Sequence, residues 1–149
     1  MPRNPESEFR KEQIVSQLQS RLGPLDRIYP GRHDWYSSKD RQIDIFITDS
    51  KAHHDKRPWF DMKADDIKEL AKRPAGFIIF VLGDAGNYLV VPAKDLNGEL
   101  DHYVAGQRHI EKGFYHFNLR IGGKTFDQLP NGNLHPYKEN VGLIRAVKQ

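Results

Sequence analysis

Asp44, Asp61 and Lys63 are the residues whose types and spacing could do chemistry. Asp44 lies in Gln42-Ile43-Asp44-Ile45-Phe46-Ile47-Thr48, where three isoleucines alternate with Asp44, Phe46 and Thr48. That period of two is the mark of a strand, with the isoleucines on one face and Asp44 on the other. Asp61 and Lys63 stand two apart in Trp59-Phe60-Asp61-Met62-Lys63, so in an extended chain they emerge side by side from one face. If the two segments pair antiparallel with Thr48 opposite Arg57, Asp44 falls opposite Asp61. Facing carboxylates repel unless a cation sits between them. Two carboxylates, with waters and phosphate oxygens, make the oxygen-rich set that Mg²⁺ prefers. Lys63 beside them could orient or deprotonate an attacking water, or stabilise charge on a phosphate in flight.

Other reactive side chains are less organised. His53-His54-Asp55 has adjacent histidines, which point apart in an extended loop, and no spaced second pair completes a Zn²⁺ site; it reads as a polar loop tip. His102, His109, His116 and His135 are scattered and join no recognisable triad. The chain has no Walker loop, dinucleotide fingerprint, nucleophile elbow or zinc-finger spacing. Gly31-Arg32-His33-Asp34-Trp35-Tyr36 mixes cations with aromatics, a composition suited to phosphate contact and base stacking, although core packing is the favoured reading for Trp35 and Tyr36.

The elements that must position these residues follow from periodicity and punctuation. A helix capped by Ser7 carries Ile14, Val15, Leu18 and Leu22 on one stripe and ends at Gly23-Pro24. Strands are expected at Leu25–Tyr29, Gln42–Thr48 and Trp59–Lys63. A second helix starts at Asp65-Asp66, places Ile67, Leu70 and Ala71 inward and closes at Lys72-Arg73-Pro74. Phe77 to Leu82 is a continuous apolar run, as in a strand covered on both faces. A turn at Gly83–Asn87 leads to a return strand, Tyr88–Val91, which stops at Pro92. Asp95–Lys112 gives no clear signal, Phe114–Ile121 alternates like a strand, Pro130–Pro136 reads as a loop, and Val141–Val147 suits either a helix or a strand. The sum is a single α/β domain with a mixed sheet flanked by helices, a core over about 7–92 and an accessory C-terminal part over 93–149.

Composition bounds the setting. The 149 residues suffice for one domain with a real core, and the absence of cysteine leans toward a reducing, cytoplasmic location. The first residues contain no apolar stretch of signal-peptide type, and the longest apolar run is too short to cross a bilayer, so no membrane partner is expected. A net charge of +3 permits a polyanionic partner without requiring one.

The order helix–strand–strand–strand–helix–strand, with Asp44 in the second strand and Asp61-Met62-Lys63 in the third, resembles the PD-(D/E)XK nuclease superfamily over about residues 7–82. The resemblance implies a restriction-endonuclease-like αβββαβ core and Mg²⁺-dependent phosphodiester hydrolysis, with Mn²⁺ as a substitute metal. Asp44 and Asp61 would hold the metal, Lys63 would match the family lysine, and Glu8 would match an additional acid that some members carry in the first helix. Ile43 stands where many members have proline, and Asp61 where Glu is more frequent. The expected activity is that of a DNA endonuclease acting as a homodimer or higher oligomer, because one chain with one site cannot cut both strands. Arg10, Lys11, Arg32, His33, Lys39, Lys51, Lys56 and Arg57 would contact the nucleic acid. The rival reading is a non-catalytic nucleic-acid-binding or protein-interaction module on the same fold, with Asp61 and Lys63 as ordinary surface residues; a weaker one is a metal-independent partner protein using Trp35 and Tyr36.

Overall fold

A computed structural model describes residues 5–27, 34–38, 42–49, 59–84, 87–100, 113–118, 137–138 and 144. In chain order the elements are α1 (Pro5–Leu22), β1 (Leu25–Arg27), β2 (Trp35–Ser38), β3 (Ile43–Asp49), β4 (Trp59–Lys63), α2 (Ala64–Ala71), β5 (Ala75–Asp84), β6 (Asn87–Pro92), α3 (Ala93–Glu99), β7 (Phe114–Asn118) and β8 (Tyr137–Lys138).

Helix α1 begins at Pro5, before the expected cap Ser7, because the fixed φ of proline is already helical and its missing N–H is one that no first turn can bond. It ends as expected. Gly23 takes φ +86° and donates its N–H to the Gln19 carbonyl at 3.0 Å, a left-handed cap that few side chains tolerate. The stripe Ile14, Val15 and Leu18 is buried against Ile43, Ile45 and Ile47 of β3.

The main sheet has six strands in the order β1-β2-β3-β5-β6-β8. Strands β1, β2 and β3 form an antiparallel meander, and β5 then lies parallel to β3, with Ile43 opposite Ala75 and Asp49 opposite Val81. Two buried clusters lie on opposite sides of this sheet. On the α1 side, Phe77, Ile79 and Val81 of β5 join the isoleucines of β3. On the other side, Ile78 and Phe80 meet Ile67 and Leu70 of α2, Ala93 and Leu96 of α3, and Trp35. The continuous apolar run of β5 is thus explained by cover on both faces.

Two sequence expectations are corrected. Trp35–Ser38 forms a strand, buried throughout; its two aromatic and two hydroxyl side chains lack the polar alternation that marks a half-buried strand. The expected first strand is present over Leu25–Arg27, and residues 28 and 29 lie outside the described residues. The second correction bears on the site: β4 keeps its expected bounds but does not join the main sheet. It pairs antiparallel with β7 in a two-stranded ribbon, placing Phe60 opposite Phe117 and Asp61 opposite His116. Phe60, Met62 and Phe117 seal the second cluster from outside, which is the hydrophobic gain that draws this strand off the sheet. Residues beyond 92 therefore contribute α3, a ribbon strand, an edge strand and the buried Ile144. Ile144 is the one described residue of the segment Val141–Val147. The tip of the expected turn, residues 85 and 86, and the loop at 130–136 lie outside the described residues, and β5 and β6 run up to that tip. Among the described residues no helix is long and apolar enough to cross a membrane.

Candidate functional site

Asp44 is buried, at 1% exposure, on the face of β3 that looks toward α2. The neighbouring strand residues are Ser37 on β2 and Gly76 on β5. The indole N–H of Trp35 donates to its Oδ1 at 3.0 Å, while Oδ2 is buried without a hydrogen-bond partner among the described residues. The Arg73 guanidinium carbon lies 5.6 Å from the Trp35 ring centroid, so the indole is held between a carboxylate at its edge and a cation over its face. Half-burial of Phe46 beside it shows that this face of β3 is covered, and a covered carboxylate needs a partner; Trp35 is that partner. The core role favoured for Trp35 and Tyr36 agrees with their burial.

The antiparallel pairing of Asp44 with Asp61 does not occur. Strand β3 is flanked by β2 and β5, and β4 lies in the other sheet. Alternation along β4 also turns the two groups apart: Phe60 and Met62 point into the core where Asp44 lies, so Asp61 and Lys63 point out of the ribbon. Helix α2 separates them further. Its last turn lies over Gly76, beside Asp44, where an added Cβ would come 2.3 Å from the Leu70 carbonyl oxygen. Its first turn follows Lys63, and eight helical residues rise roughly 12 Å between those ends. Mg²⁺ requires its carboxylates to converge at about 2.0–2.1 Å from one ion. Asp44 and Asp61 do not fit that requirement, and among the described residues no three His, Cys, Asp or Glu side chains are grouped to hold a metal. Asp61 does not cap α2 either: the N-cap is Lys63, in an extended conformation with no side-chain cap bond.

The cations expected to meet nucleic acid divide sharply. Arg10 is ion-paired with Asp49 at the C-terminal end of β3, and Lys11, only 7% exposed, binds Asp34 Oδ1 at 2.6 Å. Both clamp α1 to the meander, so neither is free for phosphate; their spacing on the helix suited a solvated face, but α1 packs low enough to bring them against strand ends. Glu8 falls in the first turn of α1, and its side chain lies outside the described set. Arg32, His33, Lys39, Lys51, Lys56 and Arg57, and the His53-His54-Asp55 tip, lie outside the described residues.

Other lysines occupy the solvent. Lys63, Lys68, Lys72 and Lys94 are exposed, and none has an ion-pair partner among the described residues. Lys68 and Lys72 are four apart at the C-terminal end of α2, on its outward side, with Lys63 at the other end; Lys94 stands on α3 in the same layer. Asp65 and Asp95 are exposed acids in first turns, where the helix dipole favours an anion, and Glu69 of α2, its side chain also solvent-accessible, is ion-paired with Arg73. The sequence carries this signal in Lys68 and Lys72, four apart on a helix whose apolar stripe faces inward.

No protein-family model, curated protein or solved structure matches the chain.

Proposed function

We propose that this chain is a non-catalytic nucleic-acid-binding module, contacting phosphates through the α2–α3 layer, on an αβββαβ scaffold of the PD-(D/E)XK kind. The observation that carries this reading is the set of four exposed lysines, Lys63, Lys68, Lys72 and Lys94, without ion-pair partners among the described residues, while Arg10, Lys11 and Arg73 are ion-paired within the fold. Ammonium groups that answer no carboxylate are available to displace counterions from a phosphate backbone. The scaffold is supported by α1, the β1–β2–β3 meander, α2 and the parallel β5, in that order; β4 is an additional strand that carries the Asp-x-Lys triplet out of the sheet. The separation of Asp44 from Asp61 speaks against a two-carboxylate hydrolytic site.

Binding is tested by fluorescence anisotropy with a labelled duplex over a salt series. Four phosphate contacts give a slope of roughly −3.6 in log K against log salt, or about a hundredfold loss of affinity between 50 and 200 mM salt. Lys68→Glu/Lys72→Glu should weaken binding at least about tenfold and flatten the slope. A duplex bound equally by wild type and double variant would refute the assignment of this face.

A second reading, the metal-dependent DNA endonuclease, is favoured by one observation, the buried Asp44 Oδ2 left without a partner. It requires Mg²⁺- or Mn²⁺-dependent nicking of supercoiled plasmid that disappears in both Asp44→Asn and Asp61→Ala.

A further inference from the structure

Two-stranded ribbons have two faces, and among the described residues the β4–β7 ribbon turns Phe60, Met62, Tyr115 and Phe117 toward the core on one of them. Tyr115 and Phe117 stack on one another with centroids 6.4 Å apart and 26° between planes, on the side that also buries Phe60 and Met62. Strand alternation therefore turns Phe114 to the opposite side, directly across from Lys63. Phe114 is half-buried, Lys63 is exposed, and Phe114 makes no ring–ring contact with a described residue. Facing positions on paired strands bring Cβ atoms within about 5.5 Å, so an aromatic ring and an unpaired ammonium stand together.

The pair is anchored to the lysine-bearing helix. The Ala64 N–H at the start of α2 donates to the Gly113 carbonyl at 2.9 Å, and Gly113 takes φ +80° immediately before Phe114. The ring thus stands at the end of α2 where Lys63 is, with Lys68 and Lys72 toward the other end.

We propose that the outer face of this ribbon is a stacking platform for single-stranded nucleic acid, with Phe114 against a base and Lys63 on the adjoining phosphate. The inference rests on the nucleic-acid-binding reading and adds its substrate class. In a duplex the flat faces of bases are covered by their neighbours, whereas an unpaired base offers its face to a ring, and one stack of this kind needs no particular sequence. The lysines supply the complementary charge. Asp61 lies on the same ribbon face as Lys63, two residues along, so the bound backbone follows the lysines of α2 and does not run down the ribbon.

The test is anisotropy with labelled oligothymidylate and with a duplex of equal length, using wild type, Phe114→Leu, Phe114→Ala and Phe114→Trp, each checked by circular dichroism. Phe114→Leu keeps most of the packing volume and removes the ring, so it holds the test open if Phe114→Ala does not fold. Loss of the ring should weaken oligothymidylate binding about 5- to 150-fold, the contribution of one stacked base, with duplex binding within about twofold of wild type. Phe114→Trp should bind the single strand at least as tightly as wild type. Ring-less variants that bind oligothymidylate normally, or lose both ligands in proportion, overturn the platform while leaving the lysine face standing. Wild type that binds neither ligand overturns the nucleic-acid reading itself.

Discussion

Replacing Trp35 by Phe isolates the interaction on which Asp44 depends. The substitution keeps an aromatic ring in the second cluster but deletes the indole N–H that donates to Asp44 Oδ1 at 3.0 Å. Since Oδ2 already has no partner among the described residues, the carboxylate, at 1% exposure, would lose its one described donor. A hydrogen bond to a charged acceptor contributes about 1.5–3 kcal/mol. The smaller ring leaves a void costing roughly 1 kcal/mol and weakens the Arg73 contact by about 0.5 kcal/mol. The expected loss is therefore roughly 3–4.5 kcal/mol, a large share of the ~5–15 kcal/mol that holds a typical domain folded. Equilibrium urea denaturation, followed by circular dichroism, would read it as a lower midpoint at unchanged slope. The double variant Trp35→Phe/Asp44→Leu removes donor and acceptor together and should be less damaged than the two single losses combined, with a coupling of about 1–3 kcal/mol. A single-variant cost below about 1 kcal/mol, or a coupling indistinguishable from zero, would refute the claim that the indole satisfies Asp44.

Gly76→Ala places a methyl group against the Leu70 backbone carbonyl at 2.3 Å, so the last turn of α2 must move; a cost of about 1–3 kcal/mol, or a Tm lower by very roughly 2–12 °C, is expected in a thermal melt. Asp34→Ala leaves the Lys11 ammonium buried without its carboxylate and should destabilise by about 2 kcal/mol, an amount that Lys11→Met should substantially restore. Supercoiled plasmid incubated with Mg²⁺ or Mn²⁺ should remain uncut by wild type, and nicking lost on both Asp44→Asn and Asp61→Ala would replace the binding reading with the catalytic one.

The elements that carry their own signal were legible in the sequence. The Gly23-Pro24 stop, the isoleucine alternation of β3 and the doubly apolar run of β5 each follow from residues adjacent in the chain. What escaped depends on partners distant in the chain. Trp35–Ser38 lacks alternation because both of its faces are covered, and periodicity cannot identify such a strand. The bounds of β4 were readable but its partner was not: Trp59–Lys63 pairs as well with any strand offering apolar residues at period two, and the sheet position expected for it is filled by β5. The candidate site inherited that ambiguity. Asp-x-Lys fixes which residues share a face, but only the pairing decides which other carboxylate that face meets. Likewise, the cations of α1 could not be sorted into clamps and free charges without knowing that Asp34 and Asp49 flank the helix.

The ribbon also sets an order of events for a chain leaving the ribosome. Helix α1 and the meander can form from residues close together in sequence, whereas β4 must wait until β5, β6 and α3 have been made before β7 arrives to pair with it. Closing so long a loop carries an entropic cost that only the finished contact repays, which makes the ribbon a late addition to a half-built core. Until then Phe60, Met62 and Phe80 lack the cover of Phe117. The nascent chain therefore passes through a stage with an open aromatic face, the period in which it is most exposed to self-association and to capture by chaperones.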